Sequence, residues 1–251
     1  MTTVPFKAVV LAAGMGTRMK SELPKVLHEV ADEPMVVRSI RLALDRGADE
    51  VAVVVGYKKD LVEDAVRTAY PDAPISFHVQ HAMNGTADAV NSARAAYAGY
   101  DGAVLILYGD VPNLPGTLID EVVDAWQATP GPLALVTGID PGEHQYGRIV
   151  RDADGRPHRI VEFKDADDAV RAVREVNIGV YLVAADFLVA GLDSTTASET
   201  TGEFYLTDLV EMAYDAGTPA ASVVSDDIDA LHGVNTLDQL AAADALARAR
   251  A

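Results

Sequence analysis

Ala8-Val9-Val10-Leu11, followed at once by Ala12-Ala13-Gly14-Met15-Gly16-Thr17-Arg18-Met19-Lys20 and closing on Leu23-Pro24-Lys25, is the stretch that decides the fold. The apolar run from Ala8 to Leu11 shows no alternation, which is the pattern of a strand buried on both faces. Gly14 and Gly16 then let the backbone turn sharply and come close to a ligand. Two cations follow, Arg18 and Lys25. A buried strand, a glycine turn and spaced cations describe a polyphosphate cradle, in which N–H groups face anionic oxygens and the side chains offset their charge. The Walker pattern, ending in Gly-Lys-Ser/Thr, does not fit, and the dinucleotide fingerprint needs a third glycine where this chain has Met19. On glycine spacing alone, an ordinary strand-to-helix turn stays open.

Outward from this segment, apolar runs alternate with amphipathic ones. The spacing predicts helices over 34–46, 59–68, 86–97 and 115–128, and strands over 50–55, 75–79 and 103–107. The alternation implies an α/β fold with a mostly parallel sheet flanked by helices on both faces. The second half changes texture. Short strands over 133–138, 148–151 and 158–162, with the turn signal Asp154-Gly155, read as a small antiparallel excursion. A strand over 177–183, a helix over 205–216, a strand over 220–224 and a terminal helix over 237–248 complete the reading. No Pro/Ser-rich linker or internal repeat divides the chain. Ligands of open α/β sheets sit beyond the carboxyl ends of the strands, and Leu11 and Leu107 both end apolar runs that feed polar motifs.

The composition narrows the class. With 251 residues and a hydrophobic fraction of 49%, one sizeable core is expected. No apolar run approaches the ~20 residues of a membrane span, and the N-terminus lacks a targeting pattern, so no membrane partner and a cytoplasmic setting are expected. Cysteine is absent, which excludes disulfides, thiolate metal sites and cysteine nucleophiles. There are 20 basic and 38 acidic residues, a net charge of −18. Such a chain is a poor nucleic-acid binder and must concentrate its few cations where an anionic substrate binds. The six histidines show no metal-ligand spacing.

The glycine segment resembles the signature of the sugar-1-phosphate nucleotidyltransferases, and within them the N-acetylglucosamine-1-phosphate uridyltransferase domain of bifunctional bacterial enzymes. The agreement runs through Leu107-Tyr108-Gly109-Asp110-Val111-Pro112, Tyr146-Gly147-Arg148-Ile149, Val161-Glu162-Phe163-Lys164-Asp165, Val176-Asn177-Ile178-Gly179, Gly202-Glu203-Phe204-Tyr205-Leu206-Thr207-Asp208 and Gly233-Val234-Asn235. The resemblance implies a Rossmann-like mixed sheet and a single domain over 1–251. A nucleotide-binding lobe of about 1–113 and a sugar-binding lobe of about 114–251 are expected within it. The hexapeptide β-helix of the bifunctional enzymes has no counterpart in this sequence, so only the uridyltransferase half is expected.

The implied reaction is attack of a sugar-1-phosphate oxygen on the α-phosphorus of UTP, with pyrophosphate leaving and Mg²⁺ as cofactor. Another sugar phosphate, another nucleoside triphosphate, or a catalytically silent nucleotide-sugar-binding module are the rival readings. The nucleophile arrives ionised, so catalysis is alignment and charge neutralisation between two anions. By the resemblance Asp110 and Asn235 hold the metal, and Arg18 and Lys25 are the catalytic cations. On local grounds alone Asp110 is equally a turn residue before Val111-Pro112, and Asn235 a helix N-cap. Leu11, Ala12, Ala13, Gly14, Gly16, Gln80, Gly85, Thr86, Tyr108 and Gly109 are the nucleotide contacts. The Gln80 carboxamide is expected to pair both a donor and an acceptor on uracil. Gly147, Glu162, Lys164, Asn177, Tyr205 and Thr207 form the sugar side. The chain departs from the family at Met83, where the family has a second Gln. It also reads Asn84-Gly85-Thr86-Ala87-Asp88 in place of Leu-Gly-Thr-Gly-His. Both departures lie beside the nucleotide pocket and bear on base preference.

Overall fold

A computed structural model describes residues 4–141 and 144–250. Residues 1–3, part of the N-terminus that lacks a targeting pattern, lie outside them. Strand β1 spans Phe6–Leu11. Two 3-10 turns, Thr17–Met19 and Lys25–Leu27, lead to a small hairpin of β2 (Glu29–Val30) and β3 (Glu33–Pro34). Then come α1 (Met35–Asp45), β4 (Val51–Val55), α2 (Lys59–Ala69), β5 (Ile75–Val79), α3 (Thr86–Ser92), α4 (Arg94–Tyr97), β6 (Ala103–Tyr108), α5 (Gly116–Ala128) and β7 (Leu133–Ile139). The second half holds β8 (Arg148–Arg151), β9 (Pro157–Val161), α6 (Asp168–Arg171), β10 (Glu175–Ala184), α7 (Ala185–Ser194), α8 (Asp208–Asp215), β11 (Ala221–Ser225), α9 (Ile228–Leu231) and α10 (Leu237–Arg250).

The main sheet runs β11-β7-β10-β6-β1-β4-β5. β1 pairs in parallel with β4 and β6, β4 with β5, and β7 with β11. β10 lies antiparallel to both its neighbours. The β8–β9 hairpin hangs on β10 through the pairing of Val176 with Arg148. The expected α/β class, with a mostly parallel sheet and an antiparallel excursion, is what the chain adopts.

Period-2 alternation sends successive side chains to opposite faces. Val51, Val53 and Val55 of β4 join Leu105 and Leu107 of β6 on the face covered by α1, α2 and α5. Ala52 and Val54 join Val104 and Ile106 on the face covered by α3, α7 and α8. The unbroken valine run is therefore a strand wetted on neither side. Among the described residues, no helix is long and apolar enough to cross a membrane.

The sequence reading lacks the short β2–β3 hairpin, α6 and α9, and two larger differences have a clear physical reason. The helix expected over 86–97 is two helices, broken at Ala93, whose N–H bonds the Val90 carbonyl at 3.0 Å. The buried Tyr97 hydroxyl also takes the Val90 carbonyl, at 3.0 Å. A phenol in an apolar layer needs such an acceptor. The sequence pattern gives no sign of α7, because the apolar run through Val183, Ala184 and Ala185 passes straight from strand to helix with no polar punctuation.

β10 carries a bulge between Asn177 and Val180, where its register against β7 shifts. Gly179 sits there at φ +84, and a Cβ on it would overlap the Tyr108 ring. Gly155, at φ +80, has open space around it. Gly155→Ala should therefore cost ~1–2 kcal/mol from left-handed strain alone. Gly179→Ala should cost a further ~1–3 kcal/mol from overpacking. Urea unfolding of both variants checks the difference; equal losses would show that the ring contact carries no stability.

Candidate active site

Leu11 at the end of β1 lies opposite Tyr108 at the end of β6. Both polar motifs therefore leave the sheet side by side, at its carboxyl edge. The 3-10 turn after Gly16 and the one that begins at Lys25 then meet. Gly16 has φ +64, and a Cβ on it would overlap that of Lys25, so the turn closes against the lysine stem only with glycine at this place. The Lys25 ammonium forms an ion pair with the Asp110 carboxylate, and both side chains are largely buried, at 12% and 16% exposure. It also donates to Asn235 Oδ1 at 2.9 Å, and so does Arg18, at 2.9 Å. The C-terminal segment is held in place by its backbone: the Val234 N–H donates to the Asp110 carbonyl at 2.8 Å. Arg18, Lys25, Asp110 and Asn235 thus form one cluster.

Asn235 does not cap α10. Thr236 and Gln239 form the cap reciprocally: the Gln239 N–H donates to Thr236 Oγ1 at 3.2 Å, and the Thr236 N–H to Gln239 Oε1 at 3.1 Å. This is a capping box. It leaves the Asn235 amide turned toward the cations. Asp110 and Asn235 present two hard oxygens to one point, the Lys25 Nζ. Among the described residues no three His, Cys, Asp or Glu gather as metal ligands; a cation that takes only one or two protein oxygens could use this carboxylate and amide pair.

A cavity of about 260 Å³ opens beside this cluster. Of the expected nucleotide contacts, Leu11, Ala12, Ala13, Gly14, Gln80, Gly85, Thr86 and Tyr108 line it, together with Lys25 and Asp110. Gly16 and Gly109 do not. Gly16 acts through Lys25, and the Gly109 N–H closes on the Leu11 carbonyl at 2.9 Å, tying β6 to β1. The Ala12 N–H is engaged by the Val54 carbonyl at 2.8 Å, and the Ala13 carbonyl by the Tyr57 N–H at 3.2 Å. The cradle is therefore stitched to β4. Thr86 also braces the fold from within. Its hydroxyl accepts the Leu206 N–H at 2.9 Å and bonds the Tyr108 hydroxyl. Gly85, at φ +106, lets this strip lie directly on the Phe204 backbone, which a Cβ would strike.

Gln80 differs from expectation. It is 5% exposed, and its Nε2 donates to Asp88 Oδ2 at 2.8 Å and to the Gly85 carbonyl at 3.3 Å. Both amide protons are therefore engaged, and the expected donor to a base is not on offer. The sequence reading sets Met83 and the strip ending at Asp88 beside the pocket as departures from the family, without giving either a contact; it does not single out Val26, Ala89 or Glu203, which line the cavity with Met83. Glu203 stands inside the quoted block that starts at Gly202. The others follow from packing alone.

Of the residues expected on the sugar side, Gly147, Glu162, Asn177 and Thr207 come together. The Asn177 N–H donates to the Gly147 carbonyl at 2.9 Å, and the Thr207 hydroxyl to Glu162 Oε1 at 3.2 Å. A Cβ on Gly147 would lie 3.4 Å from Glu162 Oε1. Asn177 Oδ1 accepts from the Gly179 N–H at 3.0 Å and the Tyr181 hydroxyl at 2.8 Å. Burial holds the Tyr108 hydroxyl far above the usual phenol range, with the Glu162 and then the Asp110 charge adding to the shift. Tyr108 therefore stands between the two halves of the site. Lys164 and Tyr205 lie toward the rim. Lys164 is exposed and pairs loosely with Glu203 at 4.0 Å, and the Tyr205 hydroxyl bonds Thr201 at 2.5 Å.

Residues 8–192 match the family described as the MobA-like NTP transferase domain. The chain belongs to this family. It is a nucleotidyltransferase domain. Curated relatives named bifunctional protein GlmU are 47% identical over 97% of the chain in Anaeromyxobacter sp. (strain K) and 43% over 96% in Sorangium cellulosum (strain So ce56). The alignments take in 49% and 51% of those proteins, so the chain spans about half their length. A solved UDP-glucose pyrophosphorylase bound to UDP-glucose superimposes with a TM-score of 0.74 at 17% identity, covering 98% of this chain and 100% of that one. A Bacillus anthracis chain described as a putative glucose-1-phosphate thymidylyltransferase gives 0.73 at 16%, covering 97% and 95%. At such identities the likeness speaks for the fold.

Burial raises the Glu162 carboxyl above the usual range; the Thr207 hydrogen bond opposes this, and Asp165, Glu203 and Asp208 reinforce it. The folded chain then holds this proton to higher pH than the unfolded chain. Stability accordingly falls as pH rises from the ordinary glutamate value through the folded one. Glu162→Gln keeps the acceptor for Thr207 and removes the charge. The variant should be more stable than the parent at pH 8 and should lose that advantage toward pH 4. Thermal melts across that range check it; a constant offset would place the charge in water.

Proposed function

We propose that the domain transfers a uridylyl group from UTP to N-acetylglucosamine 1-phosphate with the help of Mg²⁺, giving UDP-N-acetylglucosamine and pyrophosphate. The observation that carries this reading is the meeting of Arg18, Lys25, Asp110 and Asn235 at the mouth of the cavity. The naming of relatives 40–48% identical as GlmU supports the choice of substrates.

The chemistry asks for little beyond placement. A sugar phosphate oxygen is already anionic, so no base is required, and the obstacle is repulsion between two anions. In a chain of net charge −18, Arg18 and Lys25 bring positive charge to the one rim where phosphates must meet. Arg18 offers a fork of donors and Lys25 a compact charge, and together they bind the triphosphate and take up charge on the departing pyrophosphate. Asp110 and Asn235 would hold Mg²⁺, which when bound supplies further neutralisation of the phosphate oxygens. Gln80 meets the base at the inner end of the cavity. Asn177, with Oδ1 engaged internally, keeps its amide N–H groups for a sugar hydroxyl. Glu162, steadied by Thr207, accepts from another. Gly147, where a Cβ would crowd Ile160 and the Glu162 carboxylate, lets the backbone pack close beside them. The division into a nucleotide half up to about residue 113 and a sugar half after it belongs to this proposal.

Pyrophosphate release with each common triphosphate and with several hexose 1-phosphates tests the reading. Turnover should be fastest with UTP and N-acetylglucosamine 1-phosphate, vanish with EDTA and return with Mg²⁺. A faster pair would replace these substrates, and nucleotide-sugar binding without turnover would make the domain a binder. Asp110→Asn should lower kcat by roughly two to three orders of magnitude with no recovery at high Mg²⁺, in a chain that stays folded but melts at a lower temperature because the Lys25 ammonium loses its charged partner. Retained turnover would remove Asp110 from the metal set.

A further inference from the structure

Resting on the reading of the cavity as the nucleotide site, we propose that Asp88 is the positioning residue for base choice. By holding the amide nitrogen of Gln80, it leaves the carbonyl oxygen as the end offered to the nucleotide. The site then accepts a base whose ring nitrogen carries a proton, the uracil or thymine pattern, and disfavours cytosine, whose equivalent ring nitrogen is a bare acceptor.

A carboxamide has two unlike ends of nearly equal size, and its environment decides which way it points. For Gln80 the environment is one-sided. The Asp88 carboxylate at 2.8 Å and the Gly85 carbonyl at 3.3 Å are both acceptors, and the side chain is 5% exposed. Reversing the amide would set an oxygen against two oxygens and leave buried groups unsatisfied. The shorter and charge-assisted of the two bonds is the one to Asp88. The Gly85 carbonyl is shared, since it also accepts the Ala89 N–H at 3.1 Å. The backbone beneath Asp88 is fixed: it sits in the first turn of α3, flanked by Ala87 and Ala89, which are buried in the core. Gln80 and Gly85 line the same cavity as Ala13 and Gly14. A base entering there meets the Gln80 oxygen with its orientation already decided.

The test compares the full chain with Asp88→Ala and Asp88→Asn. UTP and CTP are each assayed by pyrophosphate release and by calorimetric titration, with melting curves for every variant. The parent should prefer UTP clearly. Asp88→Ala should narrow the UTP/CTP ratio of kcat/KM by roughly tenfold or more, as expected when one orienting hydrogen bond is lost. The change should lie in KM for the triphosphate, with kcat and the KM for the sugar phosphate nearly constant. Asp88→Asn, whose amide oxygen can accept the same bond, should restore most of the discrimination. A ratio unchanged in Asp88→Ala, or an equal fall with both nucleotides, would overturn the proposal while leaving the nucleotide site intact. A parent that turns over or binds CTP as well as UTP would overturn it too. A parent that binds neither nucleotide would overturn the reading of the cavity, and this proposal with it.

Discussion

The Lys25 ammonium joins three parts of the chain that are far apart in sequence: its own turn, Asp110 after β6, and Asn235 ahead of α10. Each of these groups is costly to keep from water alone. A carboxylate and an ammonium that are largely buried hold one another in place, and removing either would strand the other. The glycine turn, the β1–β6 edge and the C-terminal helix all converge on this contact. Gly16 lets the turn press against the lysine stem. The Val234 N–H fastens the last segment to the Asp110 backbone. α10 is anchored at its far end too, by Arg248 on Asp32 at 2.9 and 3.0 Å and by Asp244 on the Ala31 N–H at 2.7 Å.

A second constraint follows from how the two halves meet. Residues 84–87 lie against 204–206 through short backbone bonds, Phe204 N–H to the Asn84 carbonyl at 2.7 Å and Ala87 N–H to the Phe204 carbonyl at 3.0 Å. The Thr86 hydroxyl adds a third. Tyr108 is trapped behind this strip, against Gly179 on one side and within the fields of Glu162 and Asp110. The cavity and the group of Gly147, Glu162, Asn177 and Thr207 are thus linked by a rigid, buried phenol and a strip of paired backbone. For the proposed reaction, such a junction would keep the two regions at a set separation, as alignment requires.

Local chemistry draws attention to Arg18 and Lys25, cations after a glycine turn in a chain with six lysines. Asp110 and Asn235 read locally as a turn residue and a helix cap, and only the family resemblance implies their place in the site. What stays hidden are atoms rather than residues. The Gln80 carboxamide reads in sequence as donor and acceptor together, but Asp88, in the first turn of α3, and the Gly85 carbonyl take its amide protons. Thr86, Gly109 and the Ala12 N–H stand in the right motifs, yet their polar groups hold the scaffold. The split of α3 from α4 and the presence of α7 are likewise invisible, because neither changes the apolar pattern.

By itself the sequence determined the layered α/β architecture, since short valine-rich runs that alternate with amphipathic helical segments fit strands covered on both faces by helices. It also determined that positive charge would gather at the edge where β1 ends. Only the tertiary structure decided which polar atoms remain available there. Hydrogen-bond capacity is a local count of donors against acceptors; the partners of Thr86 and Asn235 come from distant chain segments, and Gln80 meets Asp88 only because the chain turns back at Gly85 into α3.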